Sequence, residues 1–207
     1  MNRQGRPLEA GFSLLPIQEQ LHASHVGNDD ARKEGPMKTV LSIAAWAFIT
    51  VSSAVLAQDK QTATADFVGG DGKASGRATL TAAANGGVLI EVEVTGLPSN
   101  RWVAFHVHET GNCDAAGHHE SAGKHFNPTN TEHGLLSAKG PHTGDMPNQY
   151  VDQDGVLRAQ VFDSMVTLDG KTDGIRGRAL IVHSNSDDYR SQPAGDAGES
   201  LACGVIK

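Results

Sequence analysis

The chain has 207 residues, of which 24 are acidic and 17 basic, so its formal net charge is −7 and its pI is near 5.7. This balance argues against a nucleic-acid-binding protein, which needs a basic face to neutralise phosphates. Hydrophobic residues make up 38% of the chain, enough for a core, and the two cysteines allow one disulfide at most.

The first 57 residues are predicted to lie outside the fold. Residues 37–57 have a short basic start, an apolar run and small residues before a polar stretch, the pattern of a secretory signal peptide. Val55 and Ala57 supply the small side chains of the −3 and −1 positions, so we expect cleavage after Ala57. Residues 1–36 are then either an upstream extension that is not translated or a long polar n-region. An uncleaved membrane anchor is the alternative interpretation of the apolar run.

Cleavage leaves a mature domain of residues 58–207, periplasmic or secreted, with no stable membrane insertion. Export leads to an oxidising compartment, so we expect a disulfide between Cys113 and Cys203, with two free thiols as the alternative. In the chain-entropy model a bridge closing a loop of this length stabilises the fold by ~4–5 kcal/mol.

The body of the chain is predicted to be all-β. From residue 62 onward the hydrophobic period is closer to two than to 3.6, and charged and apolar residues alternate within 88–94. Short strands with frequent glycine turns favour an antiparallel sandwich or barrel. The predicted strands are 62–68, 76–83, 88–94, 102–108, 156–161, 177–182 and 202–206.

Two stretches, 109–149 and 184–201, do not fit as strands. The first has about 40 residues, which is too long for an idle connection in a compact domain. It therefore has a function, or it needs something other than a hydrophobic core to order it.

Histidines are concentrated where these strands and loops should meet. His106 and His108 lie at i and i+2 of one predicted strand, so both imidazoles face the same side, and His183 ends another strand. The long loop adds His125, His133, His142 and Asp145. Three histidines with a carboxylate suit zinc, imidazole-rich sites suit copper, and coordination would order the loop. Spacing does not say which metal goes where, and a surface histidine cluster is the alternative.

Several motifs resemble the copper/zinc superoxide dismutases over nearly all of 62–206. They include His106-Val-His108-Glu109, His125-Phe-Asn-Pro128, His142-Thr-Gly-Asp145 and Leu201-Ala-Cys-Gly-Val205. Further motifs in the same order are Asp145-Met-Pro-Asn148, Val151-Asp152 and Gly177-Arg-Ala-Leu-Ile-Val-His183. The run Glu109-Thr-Gly-Asn-Cys113 and the signal peptide resemble the bacterial exported branch.

The resemblance implies a Greek-key antiparallel β-barrel with a long metal-binding loop and a second active-site loop. It implies an antioxidant oxidoreductase that converts superoxide to dioxygen and hydrogen peroxide, with copper and zinc ions as cofactors. The copper ligands implied are His106, His108, His125 and His183. The zinc ligands implied are His125, His133, His142 and Asp145.

The resemblance also implies roles for individual residues. His125 would be the bridging imidazolate and the catalytic proton carrier, and Asp187 would join a copper-ligand histidine to a zinc-ligand histidine. The Cys113–Cys203 bridge would tie the long loop to the last strand. His118 and His119 match no ligand position, so we expect exposed loop histidines, with auxiliary metal binding as the alternative.

One departure from the family concerns the arginine that guides superoxide toward copper. That position holds Ser200, and its neighbour Glu199 is acidic, so slower capture of an anion is expected. Arg190 or Lys124 would be the substitute cation, unless each is an ordinary solvated charge. A non-catalytic periplasmic copper- and zinc-binding protein is therefore the alternative function, and either a monomer or a homodimer is compatible with the sequence.

Overall fold

Residues 61–207 are described by the computed structural model, and they form one antiparallel sheet of nine strands. The predicted signal peptide over 37–57 and the extension over 1–36 lie outside this part of the chain. The strands are β1 (Thr62–Gly69), β2 (Ala74–Ala82), β3 (Val88–Val94), β4 (Arg101–Val103), β5 (Phe105–His108), β6 (Gln149–Val151), β7 (Leu157–Asp163), β8 (Ala179–His183) and β9 (Ser200–Ile206). A single 3-10 turn at Glu120–Ala122 is the only helical element among residues 61–207. That range contains no helix that is long and apolar enough to cross a membrane.

The sheet closes on itself through the connection between β4 and β5. Its strand order is β4-β6-β7-β3-β2-β1-β9-β8-β5, so β4 and β5 stand at opposite edges. Only Ala104 separates these two strands in the chain, and its N–H and C=O bond the backbone of Asn185 and His183. The two edges must therefore meet, which gives a nearly closed Greek-key barrel and confirms the predicted fold class.

The barrel interior is filled by alternate residues of the strands. In β3, Val88, Ile90, Val92 and Val94 are buried while the glutamates between them are exposed, as the alternation predicted. Each large aliphatic side chain buried in this way contributes about 1.5–3 kcal/mol. Fully buried partners from other strands include Phe67, Leu80, Phe105, Leu157 and Leu180.

Two predictions about the strands were incomplete. The predicted strand 102–108 is broken at Ala104, because its two halves belong to opposite edges of the sheet. The three-residue strand β6 was not predicted, since the pattern of so short a segment carries no signal and its pairing with β4 is a tertiary contact. The remaining predicted strands are present with ends shifted by at most two residues.

The end of β7 carries a buried carboxyl group. One oxygen of Asp163, Oδ1, accepts a hydrogen bond from the Met165 N–H at 2.9 Å, whereas Oδ2 has no hydrogen-bond partner. Burial raises the pKa of Asp163 to about 6, against the opposing effect of the Met165 N–H. The folded protein thus binds this proton more tightly than the unfolded chain, so stability is lost as pH rises through about 4 to 6.

We expect the substitution Asp163→Asn to remove this pH dependence. The free energy of unfolding of the variant, relative to wild type, should increase by ~2–3 kcal/mol between pH 4 and pH 7.5. Denaturant unfolding of the metal-free proteins at both pH values measures it. The exposed Asp154→Asn provides the matched control. A relative stability that does not change with pH would contradict the expectation.

Candidate metal centre

Strands β5 and β8 and the long loop 109–148 bring four histidines together. The antiparallel pairing of β5 with β8 places His106 and His108 beside the end of β8, where His183 lies, and a backbone bridge joins His108 to His125 in the loop. One ligand nitrogen from each ring lies within 4.8 Å of the others, and all four residues are buried. We call His106, His108, His125 and His183 the four-histidine group.

A second group shares one member with the first. His125, His133, His142 and Asp145 also bring one ligand atom each within 4.8 Å of one another, and all are buried. We call them the histidine–aspartate group. His125 thus belongs to both groups. In residues 61–207 no third cluster of histidine, cysteine or carboxylate side chains meets this criterion.

Asp145 organises the histidine–aspartate group by using its two oxygens differently. Oδ2 accepts hydrogen bonds from the backbone N–H groups of Gly134 and His142, at 2.8 and 3.0 Å. Oδ1 lies 2.9, 3.1 and 3.4 Å from the Nδ1 atoms of His125, His133 and His142. Burial raises the pKa of Asp145, but these hydrogen bonds outweigh it and hold the pKa far below its usual range. The carboxylate is therefore a fixed anion at which three imidazole nitrogens converge.

Three members of the four-histidine group, His108, His125 and His183, are held neutral, as metal ligation requires. Burial lowers the pKa of His108 to about 3 and that of His125 to about 4, and the pKa of His183 lies well below its usual value. Nδ1 of His108 lies 2.9 Å from the Gly123 carbonyl oxygen. Since a carbonyl can only accept, Nδ1 carries the proton and Nε2 of His108 is left as a lone-pair donor.

Unpartnered nitrogens indicate that both groups fit a metal ion. Nδ1 of His106, Nε2 of His125 and Nδ1 of His142 are buried and have no hydrogen-bond partner in the described part of the chain. A buried polar atom without a partner costs about 1–3 kcal/mol, so several in one place call for a shared partner. A cation in each group would supply that partner, and the donor sets suit copper and zinc.

Asp187 connects the two groups. Its Oδ2 lies 2.9 Å from Nε2 of His106, and its Oδ1 lies 3.0 Å from Nε2 of His133. Burial raises the pKa of Asp187, but the hydrogen bonds with these two rings leave the pKa below its usual range. One carboxylate therefore orients a ring of each group. Asn148 and Tyr189, which bond Asp187, were not predicted; the motif containing Asn148 was the only available signal.

The expectation that His118 and His119 are both exposed is wrong for His119. His118 is exposed, but His119 is only 1% exposed, and burial lowers its pKa. The backbone N–H of His119 bonds the Asp114 carbonyl, within a loop segment that packs Ala115 beside the β1–β2 turn. Tertiary packing of this segment, which no local pattern reports, therefore covers the ring.

The disulfide prediction is confirmed. Cys113 in the long loop is bonded to Cys203 in β9. Cys203 is fully buried and packs in a small cluster with Ala122, Ala179 and Ile181. The bridge therefore anchors the long loop to the same strand that carries Ser200.

Ser200 lies directly beside the four-histidine group, because it pairs with His183 between β8 and β9. A cleft of about 460 Å³ next to it is lined in part by Lys73, His118 and Glu199. The Lys73 ammonium is 2.8 Å from the Asp71 carboxylate, so its charge is largely neutralised.

The two candidate substitute cations are both exposed. Lys124 immediately precedes His125, whereas the Arg190 backbone lies against Gly134, next to His133. Within residues 61–207 neither side chain forms an ion pair with a carboxylate.

Comparisons with known proteins all identify the same family. A family model described as copper/zinc superoxide dismutase matches residues 74–206. Superoxide dismutase (Cu-Zn) 1 of Aquifex aeolicus is 48% identical over 147 residues, covering 69% of this chain and 86% of the relative. Superoxide dismutase (Cu-Zn) 2 of that organism is 43% identical over 175 residues, covering 83% and 100%. The crystal structure of a SOD-like protein from Bacillus subtilis has a TM-score of 0.66 at 32% identity, covering 70% of this chain and 97% of that one.

Metal removal should loosen the long loop selectively. Without cations the histidine nitrogens lose their common partner, so we expect amide hydrogen exchange in 109–148 to speed up at least several-fold after chelation. Exchange in β2 and β3 is the internal control and should change much less. Reloading with zinc should restore the protection. Equal exchange of the loop with and without metal would show that the disulfide and packing alone order it.

Proposed function

This chain belongs to the copper/zinc superoxide dismutase family, and we propose that its four-histidine group holds copper and its histidine–aspartate group holds zinc. The family defines the enzyme class: an oxidoreductase that dismutates superoxide and uses copper and zinc. The assignment of each metal follows the donor sets, since three histidines with a carboxylate are a typical zinc set and four imidazoles suit copper.

The shared ring of His125 is the observation that carries this proposal. Its Nδ1 lies against Asp145 in the histidine–aspartate group, whereas its unpartnered Nε2 points away from that carboxylate. The two nitrogens of an imidazole lie on opposite sides of the ring, so one residue can serve two cations. An isolated metal-storage site would not require such sharing.

The reaction must transfer an electron between two like-charged superoxide ions, which repel each other. Copper, when bound, supplies the one-electron chemistry by cycling between Cu(II) and Cu(I), and zinc supplies charge without redox activity. His125 would hold a proton on Nε2 between the two encounters and donate it as peroxide forms. Asp145 keeps the opposite nitrogen fixed, and the Asp187 carboxylate keeps the His106 ring in orientation, so both rings would stay in place while Nε2 of His125 alternates between a protonated nitrogen and a lone-pair donor.

Substrate guidance is proposed to be weak in this protein. Ser200 provides no fixed cation at the position opposite His183, and Glu199 adds negative charge beside it, whereas the charge of Asp71 is offset by Lys73. With a formal net charge of −7, the chain repels rather than attracts an anion. Lys124, adjacent to His125, and Arg190 are the cations proposed to compensate in part.

The missing arginine also supports a second candidate, a non-catalytic protein that holds copper and zinc. Bacterial relatives and the disulfide are consistent with export, so in either case the proposed location is the periplasm or the extracellular space. Activity per bound copper separates the two candidates, because both predict about one copper and one zinc per chain. Turnover close to that of free buffer at full metal content would favour the metal-holding protein.

The substitution Ser200→Arg tests the guidance proposal. We expect it to raise the second-order rate constant for superoxide roughly tenfold at low ionic strength, because a fixed cation beside the copper group attracts the anion. The gain should shrink as salt is added, since exposed charges are screened within about 10 Å at 0.1 M. Pulse radiolysis with metal analysis of the same sample measures both effects.

Asn85→Arg is the matched control for that substitution. It adds the same charge at an exposed turn between β2 and β3, which the strand register places at the opposite end of the barrel from Ser200. We expect it to change the rate far less than Ser200→Arg. Equal rates for both variants would contradict a specific handicap at position 200.

A further inference from the structure

Tyr189 adopts an unusual backbone conformation in the loop between β8 and β9. Its φ is 62°, in the left-handed region that bulky side chains rarely occupy. Such conformations persist only where the surrounding structure enforces them, and they concentrate at functional sites.

Each polar group of Tyr189 forms a hydrogen bond with a different residue of the two loops that surround the metal groups. Its N–H donates to Oδ1 of Asp187 at 2.6 Å, and its C=O accepts from the N–H of Leu136 at 3.1 Å. Its hydroxyl oxygen accepts from the N–H of Asn148 at 2.7 Å. Tyr189 is half-buried, so these bonds are partly shielded from competing water. The residue therefore links the second loop to two separate points of the first.

Asn148 completes a closed set of contacts with the same aspartate. Its Nδ2 donates to the Asp187 carbonyl, and its Oδ1 accepts from the Asp187 N–H, both at 2.8 Å. The side chain of Asn148 is thus hydrogen-bonded to the backbone of Asp187, and the Tyr189 hydroxyl is hydrogen-bonded to the backbone of Asn148. Loss of that hydroxyl would leave the Asn148 N–H unpartnered and allow the Asn148 side chain to move relative to Asp187.

Close packing leaves this arrangement little room to adjust. A Cβ on Gly195 would lie 1.9 Å from Oδ1 of Asp187 and 2.6 Å from Nε2 of His133, so only glycine fits over that hydrogen bond. A Cβ on Gly134 would lie 2.0 Å from the Tyr189 carbonyl oxygen. The backbone at Gly195 therefore packs tightly against the Asp187–His133 contact, and the backbone at Gly134 packs tightly against Tyr189.

We propose that Tyr189 is a positioning residue that fixes the Asp187 carboxylate between His106 and His133 and so couples the two metal groups. The inference rests on the proposed assignment of the groups to copper and zinc. Asp187 can orient both rings only while both of its oxygens keep their places. The hydroxyl of Tyr189, acting through Asn148, holds them there.

The substitution Tyr189→Phe removes only the hydroxyl and keeps both backbone hydrogen bonds. We expect zinc affinity, measured by competition with a chelator, to fall about 3–10-fold, which is less than the 10–100-fold typical of losing a direct outer partner of a ligand. The visible spectrum of Co²⁺ bound in place of zinc should also shift, because the orientation of the His133 ring changes. A purely structural weakening would lower stability without shifting that spectrum.

Tyr150→Phe is the matched control, since the chain has only these two tyrosines. Tyr150 is exposed on β6, where its ring lies 5.3 Å from that of Trp102. Its substitution by Phe should therefore leave zinc affinity and the Co²⁺ spectrum unchanged. In an Asp187→Asn background the effect of Tyr189→Phe should disappear, because the carboxylate through which it acts is absent.

Each result decides the inference. A Tyr189→Phe protein that matches Tyr150→Phe in zinc affinity and in the Co²⁺ spectrum would overturn it. So would an undiminished effect of Tyr189→Phe in the Asp187→Asn background. A wild-type protein that binds no Co²⁺ or zinc at the histidine–aspartate group would overturn the proposed function as well, and this outcome is distinct from the other two.

Discussion

The arrangement of the two loops depends on one constraint: the ring of His125 must satisfy two buried groups at once. Asp145 faces one nitrogen at 2.9 Å, and the other nitrogen has no hydrogen-bond partner in the described chain. A buried polar atom without a partner costs about 1–3 kcal/mol, and the unpartnered nitrogens of His106 and His142 add to that cost. We propose that two cations supply the missing partners, while strands β5 and β8 carry the histidines against which those of the loop pack.

Three further connections keep that closure in register. The Cys113–Cys203 disulfide ties the start of the long loop to β9, and Asp187 joins the second loop to a ring of each group. The β8–β9 pairing sets Ser200 opposite His183, so the position where the family places its guiding cation is fixed by the sheet rather than by a loop. Under the proposed function, a change of this one residue alters the electrostatic approach of the anion and leaves the metal ligands in place.

Much of the barrel could be predicted from the sequence because its strands carry their own signal. The alternation in 88–94 reports burial of Val88 through Val94 directly, since each side chain faces core or solvent by position. The three-residue strand β6 and the burial of His119 could not be predicted, because both depend on contacts with distant segments. Spacing identified the clustered histidines as candidates, but it could not sort them into two groups. That division needed the family resemblance, and Tyr189 had no local signal at all.

The assignment of copper and zinc to two separate sites is tested most directly by anomalous scattering, measured at the copper and zinc absorption edges on one crystal of the metal-loaded protein. We predict a copper peak within the four-histidine group and a zinc peak within the histidine–aspartate group, on opposite sides of the His125 ring. Copper and zinc mixed equally at both positions, or a metal in one group only, would contradict the claim that this ring separates two unlike sites.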